Sequence, residues 1–161
     1  MHTSSSSNQF LKAVALAILI AGTLDIADAF IFYGLRGVSP TLLLQNIAYA
    51  AIGRSAFHHG IGTALLGLFF HYCIATTVAI IYFLASQRLP LSRHPFLYGT
   101  IYGILVYIVM TYIVVPLTKV GFHPAHHLGP LINGIAALIF CIGIPIALID
   151  RHVLHTPVEN S

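Results

Sequence analysis

Two acids lie three residues apart inside a long apolar run: Asp25 and Asp28, in AGTLDIADAFIFYG (Ala21–Gly34). The chain has only four acidic residues, so half of them sit where hydrocarbon would penalise them most. On a helix, positions three apart share a face. An acid near the centre of a bilayer costs about 3 kcal/mol on insertion scales, so such residues turn toward the bundle interior or a wet cavity. Two ionised carboxylates this close repel, and at least one is expected to hold a proton at neutral pH. That is the chemistry of a proton relay or a small-cation site. The same pair could instead only bridge helices, because polar side chains act as glue inside membrane bundles.

His71, in FFHYC, is the natural partner for the acids. Gly60, Ala64, Gly67 and Ala75 fall on its side at helical spacing, and small residues let a second helix approach. A His–Asp contact would satisfy both groups and titrate near physiological pH; a purely structural hydrogen bond is the simpler alternative. Further along, Gly99-Thr-Ile-Tyr-Gly103 is a small-x₃-small contact motif, with Tyr107 and Thr111 on the same side to extend a polar chain. Asn133, Ala137, Cys141 and Pro145 share another face, and Pro145 removes a backbone hydrogen bond to the Cys141 carbonyl and should bend its helix.

The chain has ten histidines. Five, His58, His59, His123, His126 and His127, fall between predicted spans on one side and are candidate metal ligands. Their spacing matches no zinc motif, and the alternatives are interfacial or pH-sensing histidines. No cofactor is required by the sequence, and a metal ion is the one these residues would suit. A haem held by two histidines is not visible, because only His71 lies deep in a span. No nucleophile elbow accompanies the hydroxyl residues, so the pattern leans away from an enzyme. Cys73 and Cys141 both fall in apolar runs and read as small buried residues. The seven Lys and Arg are scattered singly, which argues against nucleic-acid binding.

The elements that must position these groups follow from composition. The chain is 58% hydrophobic and 7% charged, with mean hydropathy +0.91; soluble domains carry about 25% charge. Its solvent is therefore lipid. Four apolar runs, Phe10–Tyr33, Ile61–Ala85, Phe96–Leu117 and Leu128–Ile149, are each long enough to cross a bilayer as helices. The first also imitates a signal peptide, with Lys12, an apolar stretch and Ala27-Asp28-Ala29, but apolar character resumes through Phe30–Tyr33. Residues 1–9 are Ser-rich and read as a disordered tail. Between the first two spans, Ser39 and Pro40 open a short helix over about residues 40–52, too short to span. It is expected to be re-entrant or interfacial, with Gln45 and Asn46 forming a face toward water or protein. The fold class predicted is an all-α four-helix membrane bundle with this one additional short helix. Lys12, Arg88, Arg93 and Arg151 share one side against Arg36, Arg54 and Lys119, which places both termini in the cytoplasm.

Four stretches carry a resemblance: GTLDIADAFIFYGLRGVSPTLLLQNIA, ALLGLFFHYCIA, YGILVYIVMTYIVVPL and GIPIALIDR. Together they resemble small four-span bacterial inner-membrane proteins and, more loosely, the YagU-like membrane proteins. The resemblance covers most of residues 20–151. It implies a multi-pass protein of the bacterial inner membrane, and places Asp25, Gln45, His71 and Pro116 in the family pattern without a catalytic role. The functional expectation is a transport-associated protein that handles protons or a small cation through Asp25, Asp28, His71, Tyr107 and Asn133. The alternative is a non-catalytic accessory or assembly protein, whose small-residue faces would pack on a membrane partner or another copy of the chain. A metal- or haem-binding membrane enzyme ranks third.

Overall fold

The structure is a computed structural model that describes residues 3–121 and 128–154. Among them there is no strand, and four helices are long and apolar enough to cross a membrane: α1 (Asn8–Gly34), α3 (Gly60–Ser86), α4 (Pro95–Leu117) and α5 (Leu128–Leu154). A shorter helix, α2 (Pro40–Ile52), lies between α1 and α3. The helical backbone already begins at Thr3, so the Ser-rich start, expected as a tail, runs on from the first span. Extending a helix costs far less than nucleating one, and α1 supplies the nucleus. The histidines His123, His126 and His127 lie outside the described residues.

Leu19, Ile31, Leu65, Phe69, Leu105 and Phe140 are exposed on the outside of the bundle. This apolar surface suits lipid. The interior is built largely from small residues. Ala13, Ala17 and Ala21 of α1 pack with Ala79 and Phe83 of α3 and Ile146 and Ala147 of α5, all fully buried or nearly so. Without a hydrophobic force between helices in lipid, close backbone approach does the work of association. The tightest crossing joins α4 to α5. A Cβ on Gly99 would sit 2.8 Å from the Gly143 carbonyl oxygen, and one on Gly103 would sit 2.5 Å from the Leu138 carbonyl oxygen. The crossing therefore exists only because these positions are glycine. Tyr102 adds a hydrogen bond to α3, its hydroxyl donating to the Val78 carbonyl at 2.6 Å.

Three of the spans are interrupted by wide π-type turns, at Ile18–Gly22 in α1, Met110–Val114 in α4, and Leu138–Gly143 and Asp150–Leu154 in α5. Two precede a proline: Pro116 follows the turn in α4 and Pro145 the turn in α5. A proline ring collides with the carbonyl four residues earlier, and a locally widened turn accommodates it. The distortion expected from Pro145 is thus a wide turn on its N-terminal side.

The Ser39 hydroxyl caps α2, accepting from the Leu42 amide at 3.2 Å, with Pro40 in the first turn. Gly53 ends the helix at φ 75°, a left-handed backbone that favours glycine. Between these ends α2 packs closely on α3: a Cβ on Gly67 would collide with the Leu44 carbonyl. Gly67 lies about 10 Å along α3 from Gly60, at 1.5 Å per residue, so α2 is docked alongside the span. Gln45 faces α3, donating to the Gly60 carbonyl at 2.9 Å and the Thr63 hydroxyl at 3.3 Å. Asn46 is exposed and donates back to the Leu42 carbonyl. Gln45 therefore meets α3, while Asn46 bonds within α2.

Candidate functional site

Asp25 and Asp28 project from α1 about 13 Å and 9 Å along the helix from its end at Gly34. Each meets a different neighbouring span. Asp28 Oδ2 accepts a hydrogen bond from the Asn133 side-chain amide of α5 at 2.8 Å. Asp25 Oδ2 lies 4.0 Å from His71 Nδ1 of α3, with side-chain exposures of 24% and 11% respectively. The other ring nitrogen, Nε2, is 2.8 Å from the Gly22 carbonyl oxygen. A carbonyl can only accept, so Nε2 carries a hydrogen.

That assignment decides what Nδ1 can be. In a neutral ring it is a lone pair, and it would face an ionised Asp25 lone pair to lone pair. One added proton, on the ring or on the carboxyl, turns the repulsion into an attraction. A proton held by either group would therefore favour this contact. At 4.0 Å the two atoms are within ion-pair distance but beyond a direct hydrogen bond.

Both acids line a cleft of about 250 Å³ with Tyr33 of α1, Tyr107 and Thr111 of α4, and Asn133 and Gly134 of α5. This is room for several waters. Among the described residues no Lys or Arg lines it. Arg36 lies beyond the end of α1, its guanidinium 3.5 Å over the Phe32 ring and donating to the Phe32 carbonyl at 2.7 Å. The Tyr107 ring rests on Gly134, where a Cβ would come within 3.0 Å of it. Cys141 is half-buried on α5 within electrostatic reach of both acids.

The structure thus brings Asp25, Asp28, His71, Tyr107 and Asn133 around one cleft and its rear wall. The packing positions divide. Ala64 and Gly67 are buried in α3, and Gly99 and Gly103 form the α4–α5 crossing. Gly60 meets nothing within 4 Å of where a Cβ would stand. Its φ of 53° opens α3, and its carbonyl receives Gln45. Gly60 is a turn glycine, not a contact glycine. Among the candidate metal ligands, His58 and His59 are exposed at the turn before α3. Among the described residues no three His, Cys, Asp or Glu side chains come together as a metal-binding group.

Several contributors have no sequence signal of their own. The Gly22 carbonyl acts through its backbone, and Gly22 also admits the Tyr72 ring, which a Cβ would approach to 3.0 Å. Tyr72 in turn shares a 3.1 Å hydrogen bond with Thr23. Gly134 and Gly143 matter through the residues they face on another span. No protein family model, characterised protein or solved structure matches the chain.

Proposed function

We propose that this chain is a transport-associated protein in which Asp25, Asp28 and His71 handle protons or a small cation. The observation that supports this is the Asp25–His71 pair. Its ring is pinned through Nε2, its Nδ1 faces a carboxylate, and that carboxylate lines a cleft with a second acid and, among the described residues, no Lys or Arg. Tyr107, Thr111 and Asn133 supply hydroxyl and amide groups along the same cleft. The location that goes with this reading is the bacterial inner membrane, with both termini in the cytoplasm.

The test is flux into proteoliposomes carrying a pH-reporting dye, with sodium and potassium gradients as separate arms. Wild type should exceed the leak of empty vesicles, and Asp25→Asn/Asp28→Asn should return it to that leak. If both proteins show only background at every pH and with every cation, the reading is wrong.

The accessory-protein alternative needs small-residue faces free for a partner. Gly67, Gly99, Gly103 and Gly143 are occupied by contacts within the chain, so it lacks that support. A stoichiometric partner on purification would restore it.

A further inference from the structure

The other end of the bundle holds a polar cluster that the cleft does not use. Asp150 on α5 is fully buried. Its Oδ1 is 2.5 Å from the hydroxyl of Ser86, the last residue of α3, itself 4% exposed. Tyr82, one turn earlier on α3, is 1% exposed, and its hydroxyl has no hydrogen-bond partner among the described residues. Its ring packs edge-on to Tyr102 at 4.9 Å.

We propose that Asp150, with Ser86 and Tyr82, is a second proton-binding site, separate from the cleft. The Ser86 hydroxyl carries the argument. Its oxygen lies within hydrogen-bond distance of two acceptors, Asp150 Oδ1 at 2.5 Å and the Phe83 carbonyl at 2.9 Å, and it has one hydrogen. With Asp150 ionised, that hydrogen points at the carboxylate. With Asp150 protonated, the new O–H donates to Ser86 Oγ, and the serine hydrogen turns to the Phe83 carbonyl. Taking up the proton forms one O–H bond on the carboxyl and breaks none in the protein. Both states keep the Asp150 Oδ1–Ser86 contact hydrogen-bonded with the heavy atoms in place, the serine hydrogen serving the carboxylate in one and the Phe83 carbonyl in the other. The Tyr82 hydroxyl, without a hydrogen-bond partner among the described residues, is a further donor for an entering water.

The groups around the site are consistent with exchange at this end. Tyr98 and Tyr102 face it from α4, where they and Asp150 act electrostatically on Tyr82. Lys12 of α1, Arg93 and His94 of the turn before α4, and Arg151 and His152 of α5 occupy exposed positions nearby. Asp150 and Asn133, which holds Asp28, are about 25 Å apart along α5. The alanine-rich core of Ala17, Ala21, Ala79 and Ile142 lies between them. The site stands whether or not the cleft conducts.

Infrared difference spectroscopy of the reconstituted full chain over a pH series tests this. A Glu159→Gln background leaves Asp25, Asp28 and Asp150 as the side-chain carboxyls. We expect a protonated-carboxyl C=O band, lost on raising the pH, that survives Asp25→Asn/Asp28→Asn, disappears in Asp150→Asn and changes frequency in Ser86→Ala. A band that persists unchanged in folded Asp150→Asn overturns the proposal. Should Asp150→Asn fail to fold, Ser86→Ala decides: an unshifted band refutes the site, and a shifted one supports it.

Discussion

The α4–α5 crossing gives the most quantitative prediction. In Gly99→Ala the new methyl would stand 2.8 Å from both the Gly143 carbonyl oxygen and the Ile144 Cα. Carbon prefers such neighbours at about 3.5–4.0 Å, so the helices must part by about 1 Å. Both obstructing atoms are backbone, and neither can rotate away. A gap of that size forfeits about a quarter to a half of each dispersion contact along the seam. With overpacking costs of about 1–3 kcal/mol in well-packed cores, we expect Gly99→Ala to lose about 2 kcal/mol. Gly103→Ala, with its methyl 2.5 Å from the Leu138 carbonyl oxygen, should lose at least as much. One separation of the same two helices relieves both clashes. The double variant should therefore cost less than the sum of the singles, by about 1 kcal/mol or more, as coupled neighbours do. Gly62→Ala is the control: nothing stands within 4 Å of its Cβ position, and the change should stabilise α3 by about 0.5–1 kcal/mol. Reversible unfolding in mixed micelles measures all four. Strict additivity of the pair, or a neutral Gly99→Ala, would refute the shared-seam reasoning.

The remaining predictions concern the polar groups. His71→Gln keeps an N–H for the Gly22 carbonyl, so folding should stay within about 1 kcal/mol of wild type, while proteoliposome flux falls toward the leak of empty vesicles. His71→Leu, which takes the imidazole donor from the Gly22 carbonyl, should lose about 1–3 kcal/mol in the same unfolding assay. Gly134→Val should push the Tyr107 ring off its seat, 3.0 Å from the new Cβ, and lower proteoliposome flux at unchanged expression. Gln45→Leu removes the amide donor to the Gly60 carbonyl and Thr63 hydroxyl, which still bond each other, and should cost about 0.5–1.5 kcal/mol, read by unfolding in micelles.

The four spans and the short helix were legible because lipid leaves the backbone few choices: apolar runs of this length become helices. Asp25, Asp28 and His71 were legible for the complementary reason, since polar groups inside such runs must turn inward. What stayed hidden depends on partners distant in sequence. Gly22 contributes a carbonyl, Gly134 a seat for a ring and Gly143 a passage for a backbone, and no local pattern distinguishes them from other glycines. Asp150 was obscured by the apolar run's end at Ile149, with Arg151 beside it suggesting a solvated flank. The helix instead continues to Leu154, and the wide turn at Asp150–Leu154 accompanies burial of the acid against Ser86. Gly60 misled in the other direction: it fits the small-residue stripe, but its positive φ gives it a turn's duty.

One backbone bond ties the hairpin between α1 and α3 to the far side of the bundle. The Lys119 amide, just past α4, donates to the Ala50 carbonyl of α2 at 3.0 Å, and the Lys119 side chain lies against Gly53. With α2 already seated on α3, these pieces form one buttress, and the wall of the cleft that carries Tyr107 and Thr111 is fixed to it. The wall that carries Asn133 and Gly134 is held differently: Asn133 donates to Asp28 of α1, and the wide turn at Leu138–Gly143 behind it packs on Gly99 and Gly103 of α4. The paired acids thus sit between two anchored walls rather than behind a free one.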